Sequence, residues 1–376
     1  MSSSPAAPAE TPAASPQVRK LDHAVLKDVI AAHQKFLART PGGRRAVLNY
    51  VDLACADLEK AVLAEAELTG CVFEGASLAG ANLENAVLYG CDLRDADLRG
   101  ANLAHADLRG ACLRGANMAG ANLAGCDLRE GRAAMQERKT GFKILGHEPR
   151  AGELTYAVLQ GADLSGAQMT GAWATAADFS DAKLASATLV GAKLARAVFD
   201  GADLSGADVF HADLCGASLR GAVIAGVNVD DANFDDADMT GVLRSPKPLV
   251  YLDDRSLQDI VGDHERYCTA GGAEGRPARL EGVDLRSLRQ LRRRRLTGLV
   301  ARGCVLYGMD LEGAQLQGAD LSGSDLRGVK LRGADLRGVR LAGAQLNRAD
   351  LREAQLDPLL IGEGRLMRSD LSRACL

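Results

Sequence analysis

The feature that most constrains the fold is an apolar residue that recurs every five positions. A small residue precedes each apolar centre by two positions, as Ala56 precedes Leu58 and Cys71 precedes Phe73. The centres form three runs and a trailing segment in the same phase: Leu53–Leu128, Leu154–Met239, Leu306–Leu356, and Leu366, Leu371 and Leu376. A period of five matches neither the 3.6-residue helix nor the two-residue strand.

A five-residue period fits a square coil in which each side is one pentapeptide. The apolar centre and the small residue before it point inward, and the other three positions face water. Four sides make a coil of 20 residues, and successive coils stack about 4.8 Å apart, the spacing of paired strands. Glycine is frequent two places after the centre, as at Gly70 and Gly80, where a corner favours positive φ. The pattern therefore predicts an all-β solenoid.

Residues 20 positions apart should then lie in one column of the coil. Phe179 and Phe199 would stack inside, and an asparagine ladder and two columns of alternating charge would form outside. Alternation avoids like charges directly opposite each other, which would be destabilising. The outer columns are Asn82, Asn102 and Asn122; Asp163, Lys183 and Asp203; and Asp310, Lys330 and Asp350.

The individual units read A-[D/N]-L-x-x, as in residues 96–100 (ADLRG) and 319–323 (ADLSG). This repeat resembles that of the pentapeptide-repeat family, whose known members form a right-handed quadrilateral β-helix. The resemblance covers roughly two-thirds of the chain and implies the fold. It says little about function, because one fold serves many roles. Some members that protect bacteria from quinolones are dimeric acidic rods that resemble DNA and bind DNA gyrase.

A second self-similarity lies outside the pentapeptides, in residues 21–53 and 252–285. Each segment contains a Leu-Asp pair, a histidine (His33 or His264), an aromatic residue and a glycine turn. We interpret each as a short helix that covers the open end of a solenoid, and we expect each histidine to pack or hydrogen-bond onto the first coil. The predicted organisation is a disordered tail 1–20, a helical cap 21–50, a β-helix 51–243 with a loop insertion 131–152, a linker 244–251, a second helical cap 252–275 and a second β-helix 276–376.

Composition and motifs argue against catalysis. Only 4% of the residues are aromatic, and the nine cysteines contain no CxxC pair, which is typical of reduced thiols in a cytoplasmic protein. The six histidines form no HxH or HExxH motif, and no phosphate-binding GxxxxGK[ST] occurs. No apolar stretch reaches the roughly 20 residues that span a bilayer. We therefore expect no enzyme, cofactor, metal site or membrane span.

Charge is distributed unevenly along the chain. Residues 51–243 hold 28 acidic and 15 basic side chains, whereas residues 276–376 hold 12 acidic and 19 basic ones. Solvated faces of a soluble rod would explain both, and docking surfaces are the functional alternative. The candidate partner-binding residues come from the loop, an aspartate-rich stretch and an arginine run: Arg138, Lys139, Phe142, Asp208, Asp213, Asp235, Asp236, Arg292, Arg293, Arg294 and Arg295.

These observations favour a protein-interaction scaffold or regulator that presents a rigid rod and one loop to a protein partner. The alternative is a DNA-mimicking binder of DNA gyrase or of another DNA-handling protein. Nucleic-acid binding by the arginine run is the weakest interpretation, because the net charge is −4 and few aromatic residues accompany the arginines. The repeats continue to Leu376, so we also predict a homodimer through an uncapped C-terminal coil.

Overall fold

A computed structural model describes most of the chain, and the backbone alone within residues 134–137 and 141–144 and at Tyr251. The residues it describes in full are 18–131, 152–229, 231–246, 250, 252, 254–288, 291–362 and 364–376. They form two compact units, Met1–Ser245 and Pro246–Leu376. We refer to these as the first and second units.

Two α-helices accompany the coils, α1 (His23–Leu37) and α2 (Leu257–Thr269), with a short 3₁₀ helix at Leu285–Ser287. Most of the solenoid consists of single parallel bridges, so named strands are few and short. They are β1 (Arg19–Lys20), β2 (Val51–Asp52), β3 (Ala134–Glu137), β4 (Gly141–Ile144), β5 (Tyr251–Leu252), β6 (Arg255–Ser256), β7 (Arg279–Glu281), β8 (Val300–Arg302), β9 (Leu359–Leu360) and β10 (Leu366–Met367).

The repeat builds a coil with four sides of five residues. Parallel bridges join residues 20 positions apart, as in Asp57 with Ser77 and then Ser77 with Asp97. Each corner closes through a backbone hydrogen bond such as Ala81 N to Leu78 O, at 3.0 Å. The residue two places after the centre has positive φ, +64° at Gly80, as the third residue of a type II turn requires.

The core of the first unit is a stack of leucines and alanines that also contains three buried phenylalanines. Phe179 and Phe199 stack with ring centroids 4.8 Å apart and planes 2° apart, which confirms the predicted pair. Outside, Asn102 Nδ2 donates to Asn82 Oδ1 at 3.2 Å, and Asn122 Nδ2 donates to Asn102 Oδ1 at 3.0 Å. The predicted asparagine ladder is therefore confirmed. Burial of each leucine contributes about 2 kcal/mol.

Helix α1 packs on the first coil of the first unit. Asp22 caps its N-terminus by accepting a hydrogen bond from Ala24 N, and Leu26 and His33 form its buried side. Strand β1 pairs in parallel with β2. The predicted disordered tail 1–20 was therefore too long, because the backbone of Arg19 and Lys20 finds partners on the edge of the first coil. Residues 1–17 lie outside the described residues.

The second unit begins with the antiparallel pair β5 and β6, followed by α2. Ser256 caps α2 by accepting a hydrogen bond from Asp259 N at 3.1 Å. Strand β7 then pairs in parallel with β8 to begin the coil. The predicted linker 244–251 was too long at its end, since Tyr251 belongs to β5. Residues 247–249 within it lie outside the described residues.

Both helices are joined to their coils by a buried histidine, as predicted. Ala46 N donates to His33 Nδ1 at 3.1 Å, and Ala64 O lies 2.8 Å from His33 Nε2. In the second unit, Ala278 N donates to His264 Nδ1 at 3.0 Å. Because Nδ1 accepts in both cases, each ring is neutral with its proton on Nε2. Burial lowers the pKa of both histidines.

The last coil of the second unit contains an insertion that leaves the five-residue period unchanged. Gln345 bridges to Cys375, 30 positions later instead of 20, because the antiparallel hairpin of β9 and β10 leaves the coil. Leu366, interpreted from the sequence as a repeat centre, lies in this hairpin with 61% of its surface exposed. That prediction was wrong, because an insertion of ten residues preserves a period of five.

Candidate protein-binding surface

The predicted loop leaves the coil of the first unit without interrupting it. Gly152 N donates to Leu128 O at 2.9 Å, the bond that Ala111 N makes to Leu108 O one coil earlier. Cys112 accordingly bridges to Glu153, 41 positions later. Residues 131–151 are thus a 21-residue insertion, called the insert below, and Gly152 takes the place that Gly131 would hold in an uninterrupted coil.

The insert contains an antiparallel hairpin. Strand β3 pairs with β4 in a register that sets Ala134 opposite Ile144 and Gln136 opposite Phe142. Phe142 is therefore placed in a strand, and Arg138 and Lys139 lie outside the described residues. Hairpins that project from a rigid scaffold are well suited to recognition, since the scaffold fixes their base while their tips tolerate substitution.

Two exposed aromatic side chains lie beside the point where the insert rejoins the coil. Trp173, the one tryptophan of the chain, donates its backbone N–H to Gly152 O at 3.0 Å. Its side chain is half exposed, and Tyr156 at the adjacent corner is 65% exposed. Glu153 and Lys193 flank Trp173 in the same column. We call Glu153, Tyr156, Trp173 and Lys193 the insert-root surface.

The column that carries Trp173 continues into the aspartate-rich stretch. Lys193 bridges to Asp213, and Asp213 bridges to Asn233, whose Nδ2 donates to Asp213 Oδ1 at 3.1 Å. Asp235 and Asp236 follow Asn233 at the end of that side of the coil. The structure therefore brings three of the four candidate aspartates to the face of Trp173.

Two other aspartates of this stretch, Asp208 and Asp200, do not share that face. Asp208 lies on the preceding side of the coil, in the column of Thr188. Asp200 accepts hydrogen bonds from Arg220 Nη2 at 2.8 Å and from Ser218. These bonds lower the pKa of Asp200 although its burial opposes the effect. The acidic stretch is thus distributed around the coil and partly neutralised.

The arginine run of the second unit is also divided. Arg292 pairs with Glu312 at 2.9 Å, and Arg294 pairs with Glu265 of α2 at 3.3 Å. Arg293 turns a corner with φ of +56°. Arg295 occupies a bridge position opposite Gln315. Four consecutive residues of a pentapeptide point in different directions, so the run does not form a single basic surface.

A recurrent ion pair was missed in the sequence. In the tripeptide Asp-Leu-Arg the two charged residues flank an inward leucine and therefore project outward side by side. Arg99 Nε and Nη2 donate to the two oxygens of Asp97 at 2.8 and 2.6 Å, and this bidentate bond lowers the pKa of Asp97. The same pair forms at Asp92–Arg94, Asp107–Arg109, Asp127–Arg129, Asp284–Arg286, Asp325–Arg327, Asp335–Arg337 and Asp350–Arg352.

The described residues contain no arrangement suited to metal binding, and several cysteines fill the core. No group of three or more His, Cys, Asp or Glu side chains is placed among them to hold a metal ion. Cys71 and Cys91 fill inward positions, and burial raises the pKa of Cys91 well above its ordinary value. Cys126 is buried likewise, with its pKa raised to about 12. Such thiols remain protonated and act as small apolar side chains.

The match to known repeats agrees with this geometry. The family model for pentapeptide repeats matches residues 44–131, 153–241, 291–328 and 330–357, with some of its segments overlapping, which together exceed half of the chain. The chain belongs to the pentapeptide-repeat family. Its members form quadrilateral β-helices, in agreement with the four-sided coil. No curated protein sequence matches the chain.

Solved pentapeptide-repeat structures are similar to parts of the chain. One is HetL from the cyanobacterium Nostoc sp. strain PCC 7120, involved in the regulation of heterocyst differentiation, with 32% identity and a TM-score of 0.35 over 53% of this chain and 78% of HetL. Another is QnrB1, a plasmid-mediated fluoroquinolone resistance protein, with 19% identity and a TM-score of 0.30 over 54% of this chain and 92% of that one. A third, from the thylakoid lumen of Arabidopsis thaliana, has 26% identity and a TM-score of 0.21 over 34% and 68%.

No helix within the described part of the chain is long and apolar enough to cross a membrane.

Proposed function

We propose that this protein is a non-enzymatic interaction scaffold that binds a protein partner through the insert and the insert-root surface. The observation that carries the proposal is the half-exposed Trp173 beside the base of the insert. The side chain makes no contribution to the core, whose centre in that repeat is Ala174. An exposed tryptophan on a flat and otherwise polar face is the residue type that most often dominates a protein interface.

The neighbouring charges would orient such a partner. Glu153 and Lys193 lie on either side of Trp173, and the aspartates Asp213, Asp235 and Asp236 continue the same face. An apolar centre with charged residues at its edge matches the usual composition of a protein interface. A partner with a complementary basic edge would bind in one orientation along the coil. Reduced cysteines, all of them free, support a cytoplasmic setting.

A seamless deletion tests this function. Removal of residues 131–151 joins Glu130 to Gly152 and restores the uninterrupted repeat, so the coil should remain folded. Partners would be recovered by affinity capture from cells of the source organism. The proposal requires that at least one partner captured by the full chain is lost with the deletion and also with Trp173→Ala.

A matched deletion in the second unit provides the control. Removal of residues 357–366 joins Leu356 to Met367 and places Leu371 five positions after Leu356, as in an uninterrupted coil. This variant should keep the partner. If the chain without residues 131–151 captures every partner of the full chain, the insert does not bind them and the proposed function is wrong.

The alternative function is a DNA-mimicking binder of DNA gyrase. The clustering of Asp213, Asp235 and Asp236 on one face favours it, whereas the Asp-Leu-Arg pairs reduce the negative field that a mimic requires along its length. Gyrase supercoiling assays with and without the purified protein test it. Inhibition or protection at micromolar protein, lost when the three aspartates become asparagine, would favour this function over the scaffold.

The homodimer through the C-terminal coil remains a proposal. The β9–β10 hairpin of the second unit exposes Leu360 and Leu366 by 64% and 61%, and burial of such leucines would favour self-association. Light scattering should give twice the chain mass for the full chain and the monomer mass for Leu360→Ser/Leu366→Ser. A monomeric full chain would contradict the dimer.

A further inference from the structure

An exposed aromatic residue lies on a side of the first unit that carries no basic residue. Phe210 is 43% exposed, and its ring lies against that of His211 with the ring centroids 3.9 Å apart. Phe210 follows the inward Val209, so the core does not require its side chain. This side of three successive coils contains neither lysine nor arginine, and it consists of residues 188–191, 208–211 and 228–231.

The charges beside Phe210 are almost all negative. Asp208 accepts a hydrogen bond from Phe210 N at 3.1 Å, and His211 N donates to the backbone oxygen of Asp231 at 3.1 Å. Both aspartates are exposed, and neither carboxylate forms an ion pair within the described residues. The next side of the coil begins with Lys193, which bridges to an aspartate of its own column. We call Asp208, Phe210, His211 and Asp231 the Phe210 patch, which favours an apolar group that carries positive charge.

The β9–β10 hairpin of the second unit presents an apolar surface that its own packing does not use. Leu359 and Met367 lie against the corner glycines of the coil. Their neighbours Leu360 and Leu366 form a cross-strand pair and are 64% and 61% exposed. Because successive residues of a strand point to opposite faces, these two leucines point away from the coil.

The hairpin also carries positive charge. Arg365 and Arg368 lie at the two ends of β10 and are exposed, and neither forms an ion pair in the part of the chain that the structure describes. Asp357, before the hairpin, acts on the coil. It adds to the raised pKa of Arg337, whose main cause is a hydrogen bond to another aspartate. Glu363 lies outside the described residues. The hairpin therefore offers leucines together with guanidinium groups, which the Phe210 patch complements.

Charge favours the patch over a second hairpin as the surface that receives the leucines. Two hairpins in contact would bring the arginines of both copies together, and like charges across an interface are unfavourable. At the Phe210 patch the arginines meet carboxylates instead. Residues 51–243 hold 28 acidic and 15 basic side chains, whereas residues 276–376 hold 12 and 19. The second unit of one copy is therefore attracted to the first unit of another.

We propose that the β9–β10 hairpin of one copy binds the Phe210 patch of a second copy. Leu360 and Leu366 cover the Phe210 ring, and the two arginines of the hairpin pair with the two aspartates of the patch. This inference rests on the self-association proposed above and names the surface that the hairpin contacts. A twofold axis repeats the contact, so that each copy gives one hairpin and receives one, which doubles the area that a single hairpin buries.

A substitution that the coil already tolerates tests the patch. Phe210→Arg creates, next to Asp208, the Asp-x-Arg pair that recurs along the coil, so the fold should be retained while the ring is lost and the aspartate is neutralised. Light scattering at micromolar protein should give twice the chain mass for the full chain and the monomer mass for Phe210→Arg. Ser180→Arg adds the same pair beside Asp178 on another side, and this control should remain dimeric.

Complementation between two variants identifies which surfaces meet. Phe210→Arg retains the hairpin, and Leu360→Ser/Leu366→Ser retains the patch. Each variant alone should be monomeric, whereas a mixture should form a mixed dimer through the one contact that remains. Sedimentation velocity with one variant labelled measures this dimer, whose dissociation constant should exceed that of the full chain roughly tenfold or more. Circular dichroism checks that each variant is folded.

The outcomes separate this inference from the dimer on which it rests. If Phe210→Arg remains dimeric, or if the two variants do not associate when mixed, the hairpin does not bind the patch, and the inference is overturned while a dimer through other contacts stands. A monomeric full chain would overturn both. Arg365→Glu/Arg368→Glu should raise the dissociation constant roughly tenfold or more, and an unchanged value would contradict the pairing with the aspartates.

Discussion

The two caps have the same internal connection and different outer surfaces. In both, a helical histidine accepts a backbone hydrogen bond at Nδ1 from the first coil, Ala46 in one unit and Ala278 in the other. The outer side of α1 forms an apolar groove with Val47, whereas the corresponding position of the second unit is Arg279. The histidine that contacts the coil is therefore common to both caps, whereas the outward residues differ between them and can acquire separate functions.

The coils differ in a similar way. The first unit contains the buried Phe73, Phe179 and Phe199, whereas the fully buried centres of the second unit are aliphatic. The insertions differ too, since one adds 21 residues and the other adds ten. Each insertion leaves at a corner and returns to the same side of the coil. Because a solenoid repeat contacts mainly its neighbours, such changes should act locally, and the predictions below depend on that.

The largest expected effect comes from replacing each cap histidine by leucine. His33→Leu leaves Ala46 N–H and Ala64 C=O without their partner, and His264→Leu does the same to Ala278 N–H. Unsatisfied buried groups cost about 1 to 3 kcal/mol each, so the free energy of unfolding should fall by about 2 to 4 kcal/mol in His33→Leu and by about 1 to 3 kcal/mol in His264→Leu. Trp173 fluorescence during urea denaturation follows the first unit, and circular dichroism follows both.

The two histidine variants should therefore give different signals. His33→Leu should shift the Trp173 transition, and His264→Leu should shift only the circular-dichroism change of the second unit. An equal shift of the Trp173 transition in both variants would contradict independent unfolding of the two units.

A second comparison concerns the Asp-Leu-Arg pairs of the two units. The Asp92 carboxylate is fully buried and pairs with Arg94, which also contacts Glu74 at 3.3 Å. Asp92→Ala should cost about 2 kcal/mol, less than the usual loss for a broken buried pair because Glu74 remains. Asp350 pairs with an exposed Arg352, so Asp350→Ala should leave the urea midpoint unchanged. Equal losses would show that burial does not determine the strength of these pairs.

A third comparison uses corner glycines that lie beneath a side chain of the preceding coil. A Cβ at Gly125 would meet the His105 ring at 2.5 Å, whereas at Gly313 it would meet the flexible Arg293 stem at 3.2 Å. Both glycines have φ near +64°, where alanine costs about 1 kcal/mol. Gly125→Ala should therefore cost about 2 kcal/mol and Gly313→Ala about 1.

Gly100→Ala and Gly333→Ala supply controls, because a Cβ at either position would meet nothing within 4 Å. The midpoint of thermal denaturation should be lower for Gly125→Ala than for both controls. For Gly313→Ala it should equal that of the controls. If Gly125→Ala is no less stable than Gly100→Ala, the His105 ring moves freely and the steric argument fails.

The smallest expected effect is the dependence of the caps on pH. Burial lowers the pKa of His33 and His264 from 6.5. Below pH 6.5 the unfolded chain therefore binds more protons than the folded chain. The contribution of the two neutral histidines to the free energy of unfolding is complete above pH 6.5 and is lost as the pH falls through the folded pKa values. Around His33, Arg45 adds to this lowering and Glu65 opposes it. The urea midpoint should fall between pH 7.5 and 5.5, and His33→Leu/His264→Leu should reduce that slope. If the double variant shows the same change of urea midpoint with pH, other titratable groups cause that change.

Much of the fold was predictable because the period fixes both the inward positions and the 20-residue column. The asparagine ladder and the pair of Phe179 with Phe199 follow from that spacing alone. The 21-residue insert was detected because it shifts the phase by one. The ten-residue insertion after Leu356 was not detected, since it leaves the phase unchanged and Leu366 falls on the expected position.

The candidate site was less predictable, because the period does not determine which neighbour a side chain contacts. Arg292, Arg294 and Arg295 lie within four consecutive positions of the sequence but have different surroundings on the coil. The Asp-Leu-Arg spacing would have indicated the ion pairs, had the two positions beside each centre been recognised as neighbours. Trp173 would have been identified by placing it in the column of Glu153, directly after the insert.

Site-specific photocrosslinking tests the binding role most directly. A benzoylphenylalanine residue at position 173 should form a covalent adduct with the partner in cells, and the same residue at exposed position 60 of the first unit should not. Deletion of residues 357–366 should leave the adduct at position 173 intact. The account is contradicted if position 173 gives no adduct, or if both positions give the same one.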